Sequence, residues 1–361
     1  MYKPMRSNRN LVRKLFKLSS RALKESLGIK VAKNSKYMHE DIVKSLIYVS
    51  LNNTSAESGS KDLAKDMDVP SPDVVLRRLK ALDLSNVINA LNKANMKLVK
   101  KHARDGMKMA IDYTEEPYYG KIDMYVTRSK YKSGTDTFHT FATISVVGKD
   151  ERERLTLCSL PVTRLDTKEG IVRELLKNSP RPSLLLMDRG FFTIEIIKLL
   201  TEMGIKFIIP AVLNERVKRV VDDYIHGRVP AVIEYEMGAK IYMVIAKKKA
   251  EENEPIVKYI PFVTNVKFDD PQKMVDVIPE EYRYRWGIET SYRVEDWFEA
   301  KTTSRNFTLR VIYFMVGYIL YNLWIIARAE TIKYREITAY VFRKTMEDLI
   351  KGTVSGPGPP E

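Results

Sequence analysis

The sequence predicts an α/β protein, a mixed β-sheet covered by helices and preceded by an all-α segment. Three observations predict this. The first hundred residues carry helical periodicity without a convincing strand. From Gly106 the pattern changes to strand, strand, strand, helix, strand, helix, strand, which implies a sheet with helices packed on it. Val311 to Ala327 (VIYFMVGYILYNLWIIA) is almost wholly apolar, as a helix buried against such a sheet would be.

Taken in order, His39 to Leu51 places Ile42, Val43, Leu46, Ile47 and Val49 at helical spacing. Asn52 to Ser60 is rich in Asn, Ser and Gly and reads as a loop, with Ser60 capping a helix over Lys61 to Met67. Asp68 to Pro72 breaks that helix, and Asp73 to Leu82 (DVVLRRLKAL) restarts one. A short helix, a turn and a second helix bearing Arg77, Arg78 and Lys80 has the outline of a helix-turn-helix that contacts DNA. An ordinary helical hairpin with a solvated basic face has the same outline. Leu84 to Lys101 closes this first unit, residues 1–104.

The second unit spans residues 105–351. Met107 to Tyr113, His139 to Gly148, Leu155 to Val162, Ser183 to Met187 and Ile205 to Ala211 read as strands. Thr167 to Lys177 and Ile194 to Met203 read as helices. Between about 213 and 278 the alternation stops. There, Val232 to Lys247 and Val257 to Val266 look like strands of a β-rich insertion, joined by the charged loop Lys247 to Glu254. Helical spacing returns from Pro279 to about Lys301. The tail from Gly352 to Glu361 has the composition of a disordered segment.

Bulk properties narrow the function. Lys and Arg outnumber Asp and Glu by 61 to 46, a formal charge of +15, which favours a polyanionic partner. Cys158 is the sole cysteine, and His39, His102, His139 and His226 are scattered, so a metal site must be built from carboxylates. Oxygen ligands favour hard ions such as Mg²⁺ or Mn²⁺ over zinc. Met1 to Lys33 is basic and lacks the apolar core of a signal peptide, and Val311 to Ala327 is short of the ~20 residues of a bilayer span. A cytoplasmic protein without a membrane partner is the expectation.

Two aspartates sit where a site would form. Asp112 follows Ala110-Ile111 and Asp188 follows Leu184 to Met187, each at the carboxyl end of an apolar strand. A loop-capping role would use the same positions. Farther on, Tyr282, Arg285, Glu289 and Arg293 recur at three- and four-residue spacing along one helical face. Such a face is either a salt-bridge ladder or a phosphodiester site, with the carboxylate for metal and the guanidinium groups for phosphate.

These segments together resemble the DDE transposases of prokaryotic insertion sequences, in the group with a Tyr-x-x-Arg-x-x-x-Glu-x6-Lys signature. Tyr282, Arg285 and Glu289 match the first three signature positions. LMDRGF around Asp188 looks like the second-aspartate motif, and AIDYTEEPYYG around Asp112 like the first. RWGIETSYR, followed by TTSRN and the apolar run, is similar to an archaeal-type branch. The resemblance covers about Gly106 to Ala329. One departure stands out: the signature lysine position holds Asp296, and its basic role could pass to Arg293, Lys301 or Arg305.

The resemblance implies a ribonuclease-H-like catalytic core in which Asp112, Asp188 and Glu289 bind two divalent ions, Mg²⁺ or Mn²⁺, and cut and join DNA. Three converging carboxylates need such cations to offset their repulsion. It also implies double-stranded DNA as partner, both terminal inverted repeats and target, and a dimer in the DNA complex. Tyr282, Arg285 and Arg293 are the expected grip beside the scissile phosphate, with Lys301, Arg305 and Arg189 as further contacts. A DNA nuclease of the same fold and a non-catalytic DNA-binding regulator are the competing functions.

Overall fold

A computed structural model of the chain describes residues 6–247, 259–331 and 336–352. The segment expected to be a disordered tail lies, after Gly352, outside the described residues, as does most of the charged loop from Lys247 to Glu254.

Five helices come first: α1 (Arg6–Leu27), α2 (His39–Leu51), α3 (Ala56–Leu63), α4 (Pro72–Lys80) and α5 (Leu84–Val99). α2 buries the predicted stripe, Ile42, Val43, Leu46, Ile47 and Val49. Ser71 caps α4 by accepting the Val74 N–H, and Pro72 fits the first turn, where no N–H is needed. The cap of α3 differs from expectation. Ser55, not Ser60, accepts the amide of Ser58, so helix replaces the expected loop from Ala56 onward. Gly59, part of the stretch read as a loop, is a contact point: a Cβ there would sit 2.7 Å from Val49 Cγ2, so only glycine lets α3 lie this close to α2.

Among the described residues, the rest is organised on one nine-stranded sheet. Its strands are β1 (Lys108–Pro117), β2 (Thr127–Lys132), β3 (Thr135–Val146), β4 (Thr156–Val162), β5 (Leu184–Met187), β6 (Phe207–Pro210), β7 (Val232–Glu236), β8 (Lys240–Lys247) and β9 (Tyr259–Thr264). The order is β2-β3-β1-β5-β6-β9-β8-β7, with β4 also paired to β3. β1, β5 and β6 run parallel, and β3 pairs antiparallel with β1. The helices are α6 (Lys168–Lys177), α7 (Ile194–Glu202), α8 (Glu215–Ile225), α9 (Pro271–Tyr282), α10 (Trp286–Glu295), α11 (Phe307–Ala329) and α12 (Ala339–Ile350).

Alternation along each strand divides the core between two faces. Ala110, Leu184, Leu186, Ile208 and Phe262 pack with Met274 and Ile278 of α9 and Ile288 of α10. Ile111, Leu185, Met187 and Phe207 belong to the larger cluster that holds α1 to α7 and α11.

Several expectations need correction. β1 runs on to Pro117, so Asp112 lies within a paired strand, opposite Thr143, and not at a strand end. The polar strand β2 (TRSKYK) carries no apolar alternation and was invisible to pattern reading. The region 213–278 opens with α8, and its strands extend the sheet itself, since β9 pairs with β6. The run 232–247 is a hairpin turning at Gly238, whose φ of +72° suits glycine. The helix from Pro279 to Lys301 is interrupted by a one-turn 3-10 segment, Arg283–Arg285, and α10 ends at Glu295.

α11 is the apolar run. It is long and apolar enough to cross a membrane by composition, yet 94% of that stretch is buried in the fold. Its polar residues have partners. Asn322 donates to Thr156 O (2.7 Å) and accepts from the Thr156 N–H (3.0 Å). On α5, Asn92 accepts from the Ser159 N–H and donates to Ser159 O, while Asn95 donates to the carbonyls of Thr156 and Leu157. These side chains cover the outer edge of β4, which no strand among the described residues pairs.

Candidate functional site

Strand register brings the two aspartates together. β1 and β5 pair in parallel as far as Ile111↔Met187, and the next residue on each strand is Asp112 and Asp188. Neighbouring strands lie about 4.8 Å apart. Both aspartates also share the parity of Ala110 and Leu186, so their side chains belong to the face that α9 and α10 cover.

Glu289 comes from α10 above that face, and Arg285 ties it to the sheet. Arg285 Nη1 donates to Asp112 Oδ2 at 2.9 Å, and Nη2 donates to Glu289 Oε1 at 2.6 Å. At 7% exposure Arg285 is no member of a solvated ladder. Its guanidinium lies 5.6 Å from the Tyr282 ring centre and 5.8 Å from that of Trp286. Burial pushes the Asp112 carboxyl up to about 6, opposed by Arg285 and the Tyr113 N–H and reinforced by nearby Asp188 and Glu289.

Sequence reasoning missed the groups that brace α10. Tyr292 OH and Thr143 Oγ1 are 2.6 Å apart, which pins the helix to the residue paired with Asp112. Lys108 reaches Glu281 (2.5 Å) and lies 4.7 Å over the Tyr284 ring, fixing the 3-10 turn that carries Arg285. Tyr292 stands three residues after Glu289, a helical spacing that was the available signal.

The remaining predicted residues are dispersed. Arg293 and Arg189 are exposed at the end of α10 and just after β5. Lys301 does not extend the line of α10: it lies in an extended segment, its N–H donating to Thr54 O and its backbone bridging Ser55. Arg305 is exposed before α11. Burial raises the carboxyl of Asp296, which replaces the signature lysine, while the charge of Lys301 lowers it. On α4, Arg77 and Lys80 are exposed, whereas Arg78 donates to Lys30 O at 2.6 Å.

The donor set suits hard divalent ions, being three carboxylates on two adjacent strands and one covering helix. As they stand, no three acidic, His or Cys side chains among the described residues are gathered closely enough to hold an ion. The guanidinium of Arg285 is bound to two of the three carboxylates instead.

Behind the site Glu295, 4% exposed, accepts from Thr156 Oγ1 at 2.5 Å. Its other oxygen has no partner among the described residues, and the residue lines a cavity of about 10 Å³ with Tyr292, Asp296, Glu299 and Tyr318. Burial pushes its carboxyl up to about 8, against a usual 4.5, with the Thr156 hydroxyl opposing. The folded state thus holds a proton that the unfolded chain releases. Stability from this group is whole below pH 4.5 and is lost as pH rises toward 8, by about 1.4 kcal/mol per unit. Glu295→Gln is expected to melt with the wild type at pH 5 and above it at pH 8.5. Thermal melts at the two pH values check this, and a lower melting point at pH 8.5 would contradict it.

A family model described as "Transposase DDE domain" matches residues 127–323, more than half of the chain. Asp188 and Glu289 lie inside that span and Asp112 before it. No curated protein matches the chain in sequence. Among solved structures, a piggyBac transposase synaptic complex with hairpin DNA is similar at a TM-score of 0.62 and 15% identity, covering 97% of this chain and 82% of that one. A Drosophila P element transposase strand transfer complex aligns over 94% of this chain and 98% of that one, at 11% identity and a TM-score of 0.27. The first likeness is one of fold, and the second is too slight to show even that.

Proposed function

The chain belongs to the transposase DDE domain family, and from that premise we propose that it cuts DNA at the ends of a mobile element and joins them to a target. In this reading Asp112, Asp188 and Glu289 are the catalytic carboxylates of a ribonuclease-H-like core, residues 105–351. The observation that carries it is the register that sets Asp112 beside Asp188 beneath the helix bearing Glu289. The element is a prokaryotic insertion sequence of archaeal type, its signature reduced to Tyr282, Arg285 and Glu289.

Two Mg²⁺ or Mn²⁺ ions held by these oxygens would activate the attacking hydroxyl and stabilise the leaving oxygen. The residues of the chain do the positioning. Arg285, backed by Tyr282, suits a bidentate grip on the phosphate next to the scissile bond. Arg293, Arg189, Lys301 and Arg305 offer exposed cations for the flanking backbone. The partner is double-stranded DNA, bound by a dimer, and the protein acts in the cytoplasm.

The test is incubation with Mg²⁺, DNA carrying the inverted repeats that flank the gene, and a target plasmid. Joined products are expected. Cleavage without joining would reduce the reading to a nuclease, and DNA binding without either would leave a regulator.

Residues 1–104, with α3 and α4, are the proposed end-recognition unit. Replacing Arg77 and Lys80 with Ala is expected to weaken binding and to flatten its salt dependence by about 0.9 in log-log slope per lost phosphate contact. Arg78 is a weaker choice, because its bond to the Lys30 carbonyl mixes folding with binding. Unchanged affinity and slope in a salt titration would remove α4 from the interface.

A further inference from the structure

We propose that Arg285 is an internal counter-cation that keeps the metal site closed until a DNA phosphate draws it off, so that ion loading is gated by DNA. The inference rests on the proposed function and deepens it.

The geometry is that of a cation already seated among the carboxylates. One guanidinium spans Asp112 Oδ2 (2.9 Å) and Glu289 Oε1 (2.6 Å). Those are two of the oxygens a divalent ion would use. While they face Arg285, no three acidic, His or Cys side chains among the described residues converge to hold an ion. Two cations cannot share the same lone pairs at full strength, so guanidinium and ion compete.

Arg285 is also placed to leave. Its Nε is buried without an acceptor among the described residues, so its hydrogen-bonding capacity is not filled where it lies. The one-turn 3-10 segment that carries it separates α9 from α10, a break where a small backbone change redirects a side chain. Its walls are the rings of Tyr282 and Trp286, and Trp286 is 59% exposed, so an aromatic surface leads from the carboxylates outward. A phosphate oxygen pair accepts both guanidinium donors as well as two carboxylates do. A phosphate that takes the guanidinium leaves Asp112 and Glu289 free for ions. DNA and metal then favour each other's binding by the same factor. An enzyme so built does not arm its cutting site away from DNA.

The test measures Mn²⁺ binding by calorimetry on the full chain, with and without a duplex carrying the element end and blocked by a 3′-dideoxy nucleotide. Wild type is expected to bind Mn²⁺ weakly alone and about tenfold or more tightly with the duplex. Arg285→Ala is expected to bind Mn²⁺ about tenfold tighter than wild type without DNA, and to gain little from the duplex. Arg285→Gln, of similar length and uncharged, serves if the Ala variant does not fold, and the same result is expected of it. Equal or weaker Mn²⁺ binding by these variants without DNA overturns the inference. So does a DNA effect that survives them. If Mn²⁺ binding is lost in Asp188→Asn yet indifferent to Arg285, only the gate fails. If no protein binds Mn²⁺ even with DNA, the two-ion reading fails with it.

Discussion

Asp188→Asn is expected to abolish DNA cleavage, by roughly a thousandfold or more, a barrier increase of about 4 kcal/mol, while leaving DNA binding intact. The substitution changes charge and little else. Asp188 begins the 3-10 turn after β5 but accepts no capping hydrogen bond through its side chain, so Asn removes no structural contact. What it removes is one of the two adjacent negative charges that the register of β1 and β5 creates. Gel assays of cleavage and anisotropy assays of binding, run on the same preparation, separate the two effects. Normal cleavage would take Asp188 out of the chemistry and leave Asp112 and Glu289 without a third ligand. Loss of binding as well would mean that the residue supports the interface or the fold.

Arg285→Ala is expected to slow cleavage by about a hundredfold in saturating Mg²⁺, the scale of a misplaced reacting phosphate. Its effect on stability distinguishes it from a surface ion pair. An exposed i,i+4 pair contributes about 0.3–0.5 kcal/mol. Arg285 is buried, and its loss leaves Asp112 and Glu289 facing each other without a counter-charge. The variant is therefore expected to melt well below wild type in chelator and to regain much of the difference in Mn²⁺, because an ion bound only by the folded state stabilises it. Differential scanning with and without Mn²⁺ checks this. A melting point unchanged in chelator would mean that the three-way contact contributes nothing. Arg285→Lys, which keeps the charge and loses the fork, should lie between the two in both measurements.

What could be read in advance followed from periodicity. The unbroken apolar run Leu184 to Met187 marks β5 as a strand buried on both faces and puts Asp188 just past its end, and the stripe in α2 marks that helix; both need only local sequence. Glu289 and Arg285 were legible because a four-residue spacing survives the change from 3-10 to α geometry. The rest was hidden for identifiable reasons. β2 has no apolar face to betray it, whereas α8 did carry a legible stripe, Val217, Val220, Val221 and Ile225 at helical spacing, although only Val217 of it is buried. The length of β1 was underestimated because Asp112 looked like an end, whereas pairing with Phe138 to Val146 of β3 carries the strand to Pro117, five residues past Asp112. Arg285 reaching Asp112 is a contact across 173 positions, which no local pattern encodes. Asp296 in place of a lysine is legible as a departure, but the nearness of Lys301 to it depends on the chain turning after α10.

The asparagines along β4 bear on where the chain can be cut. Asn92 and Asn95 come from α5, and Asn322 from α11, so the backbone of one strand is completed by side chains from either end of the sequence. A fragment starting at Gly106 would retain all the described strands and the three candidate carboxylates, Asp112, Asp188 and Glu289. It would nonetheless lose Asn92 and Asn95, leaving the Ser159 amide and carbonyl and the Leu157 carbonyl bare while Asn322 alone stays on Thr156, a template for another molecule's strand. Recombinant work on the Gly106 fragment alone should therefore give aggregates, and a soluble minimal enzyme should begin before Leu84.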